Sequence, residues 1–292
     1  MKWLLYGSQG WIGGQLSTLL AKQGEEVVAA VARADDTTAV KEELLTVKPD
    51  RVVCLVGRTH NAACNTIDCL ESKEMLEANI RDNLYSQISL ALLCKELDIH
   101  LTIAGTGCIY CYDEEHPIGG QGRGENTQPN FFGSSYSVVK GFTDRLLSQL
   151  PALVARVRMP ITGDRNPRSF LTKIIKYEKI CSIENSMTVL PTLLPVLIDL
   201  ARKKRIGPLN FVNSGSISHN RMLEMYKEIV DPTFIWKNFT LEEQSLVLKA
   251  GRSNNKLEPE TIIRDYPEVP NIEEAVRMIL LQIKAADIAD QK

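Results

Sequence analysis

Three sets of residues in this chain have the types and spacing to do chemistry. Cys108 and Cys111 stand three apart in GTGCIYCYDEEH, with His116 close behind. Thiolates and an imidazole so arranged are able to hold a metal or exchange a disulfide, and a single thiolate is also a base. Tyr136 and Lys140 lie four apart in SSYSVVKGFTD, on one face of a helix. An ammonium beside a phenol favours phenolate and brings the tyrosine nearer the range useful for proton transfer. Gly7, Gly10 and Gly13 recur in GSQGWIGG, where glycines let backbone amides approach a phosphate at the start of a helix.

These residues need elements to hold them. Short apolar runs alternate with helical patterns: KWLLYG, WIGGQLSTLLAKQG, EVVAAVA, AVKEELLTVK, DRVVCLVG, NIRDNLYSQISLALLCKEL and HLTIAG, then VKGFTDRLLSQL and LVARVRM. That alternation predicts a parallel sheet covered on both faces. Beyond about residue 160, Pro160, Pro167, Pro191, Pro195 and Pro208 break the pattern, with helices such as LPVLIDLARKKR and SHNRMLEMYKEIV between short strands. The expected fold is α/β: a Rossmann-type doubly wound parallel sheet over residues 1–160, to which later segments return, and a smaller interleaved α/β C-terminal substrate lobe over residues 161–292. The patch IGGQGRGEN, 118–126, reads as a mobile surface loop able to cover a site.

In that frame the glycine triplet follows the first strand and opens the first helix, the context of a dinucleotide-binding turn built from Gly7, Gly10, Trp11, Ile12 and Gly13. Arg33, at the end of the second strand, suits the 2′-phosphate of NADPH, while Asp35 and Asp36 just after it keep NADH open as the alternative. A formal net charge of −2 gives no footprint for nucleic acid, and no stretch approaches the ~20 apolar residues of a membrane span. Seven cysteines, an odd number, fit a reducing cytoplasmic setting. The expected partners are therefore small molecules, without nucleic acid or membrane. Cys108, Cys111 and His116 supply only three ligands and no second pair, so no metal is expected. Cys108 is left as an active base or a structural thiol. Cys54 and Cys94 read as core, and Cys64 and Cys69, near His60, as a loop or helix start.

The order of a glycine fingerprint, a strand ending in GTG and then Tyr-x-x-x-Lys resembles the extended short-chain dehydrogenase/reductases. The resemblance implies that Thr106 bonds the substrate oxygen, Tyr136 transfers a proton, Lys140 holds the nicotinamide ribose and tunes Tyr136, and Asn83 is the family's helix asparagine. A cysteine two places beyond the hydroxyl residue is similar to GDP-fucose synthase, and the acidic pair of the 4,6-dehydratases is absent. Further stretches, TGCIY, RVRMPIT, NPRSFLTKI, NSMTVLP and RSNNKLE, resemble the bifunctional nucleotide-rhamnose synthase/epimerase-reductases. That likeness implies a 3,5-epimerase/4-reductase acting with NADPH on UDP- or dTDP-4-keto-6-deoxy-glucose. Cys108 and Lys173 would then be the epimerisation residues, and Asn166, Arg168, Phe170, Thr188 and Arg252 would lie near the nucleotide or diphosphate. A homodimer through the tyrosine helix is expected by the same analogy. Two alternatives remain: a 4-reductase without epimerase activity, and a non-catalytic dinucleotide-binding regulator.

Overall fold

The structure, a computed structural model, describes residues 1–59 and 66–290, so His60 and Cys64 lie outside the described residues. Six parallel strands form the main sheet in the order β2-β1-β3-β4-β5-β7. They are β1 (Lys2–Tyr6), β2 (Glu26–Ala29), β3 (Arg51–Cys54), β4 (His100–Thr106), β5 (Ala152–Val157) and β7 (Gly207–Leu209). β3 and β5 are almost wholly buried, as strands covered on both faces must be. One face packs against α1 (Trp11–Lys22) and α7 (Leu190–Arg202), through Leu16, Leu20, Leu193 and Leu197. The other packs against α2 (Thr37–Val47) and α4 (Ser86–Glu96), through Val40, Leu44, Leu90 and Cys94. The short helix α3 (Leu76–Ile80) runs into α4 through a π-turn over Arg81–Tyr85, and α5 (Ser135–Leu147) packs beside it.

A second core gathers α6 (Phe170–Ile174), α8 (His219–Ile229) and α11 (Ile272–Asp290) around Met187, Leu223 and Val276. A parallel ribbon of β6 (Lys179–Ile180) and β8 (Lys237–Asn238), with the helices α9 (Leu241–Val247) and α10 (Glu260–Asp265), completes the chain. The two lobes interleave, because α7 and β7 return to the first sheet. Arg51 fixes that return: its guanidinium donates to Ala201 O and Arg202 O, both at 2.7 Å, capping the carbonyls at the end of α7. None of the described helices is long and apolar enough to cross a membrane.

The glycine-rich stretch 118–126 differs from its sequence reading. Arg123 and Glu125 are buried, and Arg123 exchanges backbone hydrogen bonds with Lys256 and Glu258 at 2.9 and 2.8 Å. A Cβ on Gly122 would come within 3.0 Å of the Glu258 backbone nitrogen. The glycines there allow close approach to a neighbouring segment, so the stretch is pinned at its centre.

Candidate active site

The strand order reverses between β1 and β3, and the crevice at the carboxyl ends of those strands is where open α/β sheets bind ligands. β1 ends at a turn in which Gly7 has φ +85°. A Cβ on Gly13 would lie 2.1 Å from Gly7 O, so only glycine lets α1 start this close to the turn. Gly10 caps α1 with no side-chain bond, and its first turn holds no acidic residue. The first amides and the positive end of the helix therefore remain available to an anion such as a pyrophosphate. Trp11 and Ile12 pack against the core beneath, and the buried indole N–H of Trp11 has no partner among the described residues. At the end of β2, Arg33 is exposed and pairs with Asp35 at 3.1 Å, while Arg81 from the π-turn reaches the same carboxylate at 3.6 Å. The hydrogen bond from Arg33 holds Asp35 below the usual carboxylate range.

Thr106 ends β4, and its side chain meets the Tyr136 hydroxyl and accepts the Cys108 N–H at 3.1 Å. α5 is capped by Ser134, which accepts Ser137 N–H at 3.0 Å, and Ser137 Oγ in turn donates to Cys108 O at 2.7 Å. Thr106, Cys108 and Tyr136 are thus brought together by one strand end and one helix start. Lys140 is buried, and its ammonium donates to Gln87 Oε1 at 2.7 Å. Gln87 is itself fixed by a 2.8 Å bond to Val56 O. Burial pushes Lys140 down to about 8. Tyr136 moves the opposite way from its sequence-based expectation: burial, then the neighbouring Cys108, push it above the usual phenol range, against a smaller pull from Thr106. Desolvation dominates, leaving Tyr136 a proton donor at neutral pH.

Asn83 sits in the π-turn, fully enclosed. Its amide accepts Arg58 N–H at 2.8 Å and donates to Arg58 O and Asn79 Oδ1, also at 2.8 Å, while its carbonyl accepts the Thr143 hydroxyl at 2.9 Å. It ties the loop after β3 to the helix pair behind Tyr136.

The turn carrying Cys108 is clasped from the far end of the chain. Gly107 O accepts from Arg158 at 3.2 Å and Asn255 at 3.0 Å, and Tyr110 O accepts from Ser253 at 2.6 Å and Asn255 at 3.0 Å. Arg158 Nη1 also lies 3.7 Å from Cys108 Sγ. None of Arg158, Ser253, Asn255 or Gln87 was singled out from sequence. The stretches RVRMPIT and RSNNKLE contain three of them, but the contacts join residues too distant in the chain for spacing to show. Cys111 is held structurally, its amide on Asn130 Oδ1 at 3.0 Å and its carbonyl on Arg123 at 3.0 Å. Among the described residues no group of three or more His, Cys, Asp or Glu side chains is placed to hold a metal.

The remaining residues divide. Lys173, on α6, is partly buried, which with nearby Arg168 pushes its ammonium below the usual lysine range, and it makes no salt bridge among the described residues. Phe170 packs at 5.1 Å against the His219 ring. Asn166 accepts Arg168 N–H at 2.9 Å, shaping the turn before α6. Thr188 is wholly buried, accepting Arg158 N–H at 2.9 Å and donating to Phe211 O at 2.6 Å, so it braces Arg158 from behind. Arg252 is engaged with Asp68, which also accepts the backbone amides of Lys249 and Ala250 at 2.9 and 2.8 Å.

A doubly wound sheet, a glycine turn at its switch point and a Thr–Tyr–Lys set beside it define an enzyme of the extended short-chain dehydrogenase/reductase class. No family model matches the chain. Individual relatives do. A UDP-rhamnose synthase of Acanthamoeba polyphaga mimivirus, known as a crystal structure, is 48% identical, with a TM-score of 0.94 over 97% of this chain and 99% of that one. A bifunctional dTDP-4-dehydrorhamnose 3,5-epimerase/dTDP-4-dehydrorhamnose reductase of Arabidopsis thaliana is 42% identical over 94% of this chain and 90% of its own. The fold is shared with dTDP-4-dehydrorhamnose reductase of Bacillus anthracis, at a TM-score of 0.80 and 15% identity over 96% of this chain and 99% of that one. The chain belongs to the nucleotide-rhamnose synthase family of sugar-nucleotide epimerase/reductases.

Proposed function

We propose that the enzyme converts UDP-4-keto-6-deoxy-D-glucose to UDP-L-rhamnose, inverting C3 and C5 before reducing C4 with NADPH. One observation carries the reading: Cys108 shares a hydrogen-bonded turn with Thr106, which also meets Tyr136, so a proton-abstracting group and two carbonyl-polarising hydroxyls face one small region. The hydrogens on C3 and C5 flank the C4 ketone and are acidic for that reason. The Cys108 thiolate takes each in turn, the electron pair moves onto the C4 oxygen, and Thr106 and Tyr136 stabilise that oxyanion as preorganised donors. Lys173 returns a proton to the opposite face. Each inversion leaves a thiol and a neutral amine, so proton exchange with solvent resets the pair before the second.

Bound NADPH supplies the hydride to C4. Tyr136 protonates the C4 oxygen, a role that suits a phenol kept protonated by burial. The turn of Gly7, Gly10 and Gly13, with the first amides of α1, would hold the pyrophosphate, and Arg33 with Arg81 would meet the 2′-phosphate that separates NADPH from NADH. Lys140 would hold the nicotinamide ribose. Asn166, Arg168, Phe170 and Arg252 are proposed around the nucleotide diphosphate, with Arg252 exchanging Asp68 for phosphate. The choice of UDP is supported by the mimivirus relative, and dTDP is the alternative carrier.

The test is to incubate the protein with the UDP-4-keto sugar in deuterated water, with and without NADPH, and follow the sugar by NMR. Deuterium at C3 and C5 without NADPH, and UDP-L-rhamnose with it, are expected. Oxidation of NADPH with no deuteration would reduce the protein to a 4-reductase, and turnover of the dTDP sugar alone would change the carrier.

A further inference from the structure

Two arginines leave the end of β5 two residues apart, both almost fully buried, and their surroundings differ in one respect. Arg156 is paired through two hydrogen bonds with Asp144, at 2.9 and 2.7 Å, and stands over the Tyr110 ring at 5.4 Å. That is how a structural arginine is neutralised in a protein interior. Arg158 has no exposure and makes no salt bridge among the described residues. Nη1 reaches Gly107 O at 3.2 Å and Ser253 Oγ at 3.1 Å, Nη2 reaches Asn185 Oδ1 and, at 2.6 Å, Ser253 O, and Nε has no partner among the described residues. Each of these acceptors is a neutral dipole. The remaining neighbour is the Cys108 sulfur, 3.7 Å from Nη1.

We propose that Arg158 is the charge partner of Cys108, holding its sulfur as a thiolate in the resting enzyme and fixing where that sulfur points. A permanently charged guanidinium buried without an anion is costly, and ionising the one acid in contact with it removes the cost. The same contact fixes the direction from which the sulfur meets a carbon-bound proton. The other ionisable groups facing this pair are the phenols of Tyr136 and Tyr112 and the buried imidazole of His219, none of them an anion at neutral pH. Arg158 acts through Cys108 and is a positioning residue. Thr188, which accepts its backbone N–H, and Asn185 and Ser253 keep the guanidinium aimed.

The inference rests on Cys108 being the epimerisation base, and the two are tested separately. Iodoacetamide labelling of Cys108 at about pH 7, read on its own peptide by mass spectrometry with Cys111 as the internal reference, reports the thiolate without any sugar present. Arg158→Gln is expected to slow Cys108 labelling about tenfold, with the wild-type rate regained about one pH unit higher, and Arg158→Lys to recover most of the rate, with Cys111 unaffected. Unchanged labelling in a folded Arg158→Gln protein overturns the proposal. Should that variant not fold, the wild-type pH profile decides: Cys108 must label well below the pH at which Cys111 does, and coincident profiles overturn it. Persistence of C3 and C5 deuteration in Cys108→Ser would instead overturn the base assignment, leaving the labelling result to stand alone.

Discussion

Cys108 and Tyr136 share Thr106 as a neighbour, and in the proposed mechanism they handle protons in opposite directions, one taking them from carbon and the other giving one to oxygen. Substitution should separate the two. Cys108→Ser is expected to cut C3 and C5 deuteration by about 100-fold or more, because a serine alkoxide is inaccessible at neutral pH, while reduction of an already inverted 4-keto sugar continues. Tyr136→Phe should lower reduction by about 100-fold to 10,000-fold, measured by NADPH oxidation. Lys140 supplies a pH dependence. Burial sets it near 8 where an exposed lysine titrates at 10.5, so its charge is lost as the pH rises through about 8. The kcat/KM for reduction is expected to fall above that value, and a flat profile to pH 10 or so would contradict the assignment. Thr106 was named through the family resemblance, whereas Tyr136 and Lys140 were legible in the sequence because one helical turn fixes their relation locally. Arg158 was not, since nothing in RVRMPIT distinguishes an arginine paired with Asp144 from one left facing a thiol.

At the scale of elements, the strand-to-helix turn at α1 was also legible, because glycine spacing and the flanking periodicities act within a dozen residues. Its fit to a dinucleotide depends on one close approach. Gly13→Ala would drive a methyl group against Gly7 O, and it is expected to weaken NADPH binding by about tenfold or more in a fluorescence titration, with the fold retained. The stretch 118–126 misled for the opposite reason. Glycine signals freedom of the backbone, and sequence alone does not say whether that freedom is used for motion or, as here, for lying against residues 256–260. The π-turn at Arg81–Tyr85 left no sequence signature, although it aims Asn83 at the loop after β3.

Over the whole molecule, the two lobes are joined by contacts between distant segments, and Asp68 with Arg252 is one that a titration can follow. Its hydrogen bonds to Thr66, Ala250 and Arg252 outweigh burial and hold Asp68 at about 2. A carboxylate depressed on folding contributes stability that is full above its unfolded value near 4 and is lost as the pH falls through about 2. Asp68→Asn is therefore expected to lower stability by about 2 kcal/mol at neutral pH, and its deficit relative to wild type should shrink on acidification. Thermal unfolding at a series of pH values checks both signs. The end of the π-turn and the exposed faces of α4 and α5 carry Tyr85, Leu92, Phe142 and Leu146, and we propose them as the homodimer contact, to be read by sedimentation with Phe142→Glu as the disrupting change. The clasp around Cys108 has a further consequence in time. Thr106, Tyr136 and Lys140 lie within the first half of the chain, but Asn255 holds Gly107 across a separation of 148 residues. During synthesis the proposed reducing centre is assembled from early segments, whereas the proposed inverting centre waits for a late one. A chain arrested before Ser253 would carry the hydride-transfer residues without the clasp, and so would be poised to reduce a ketone it could not first invert.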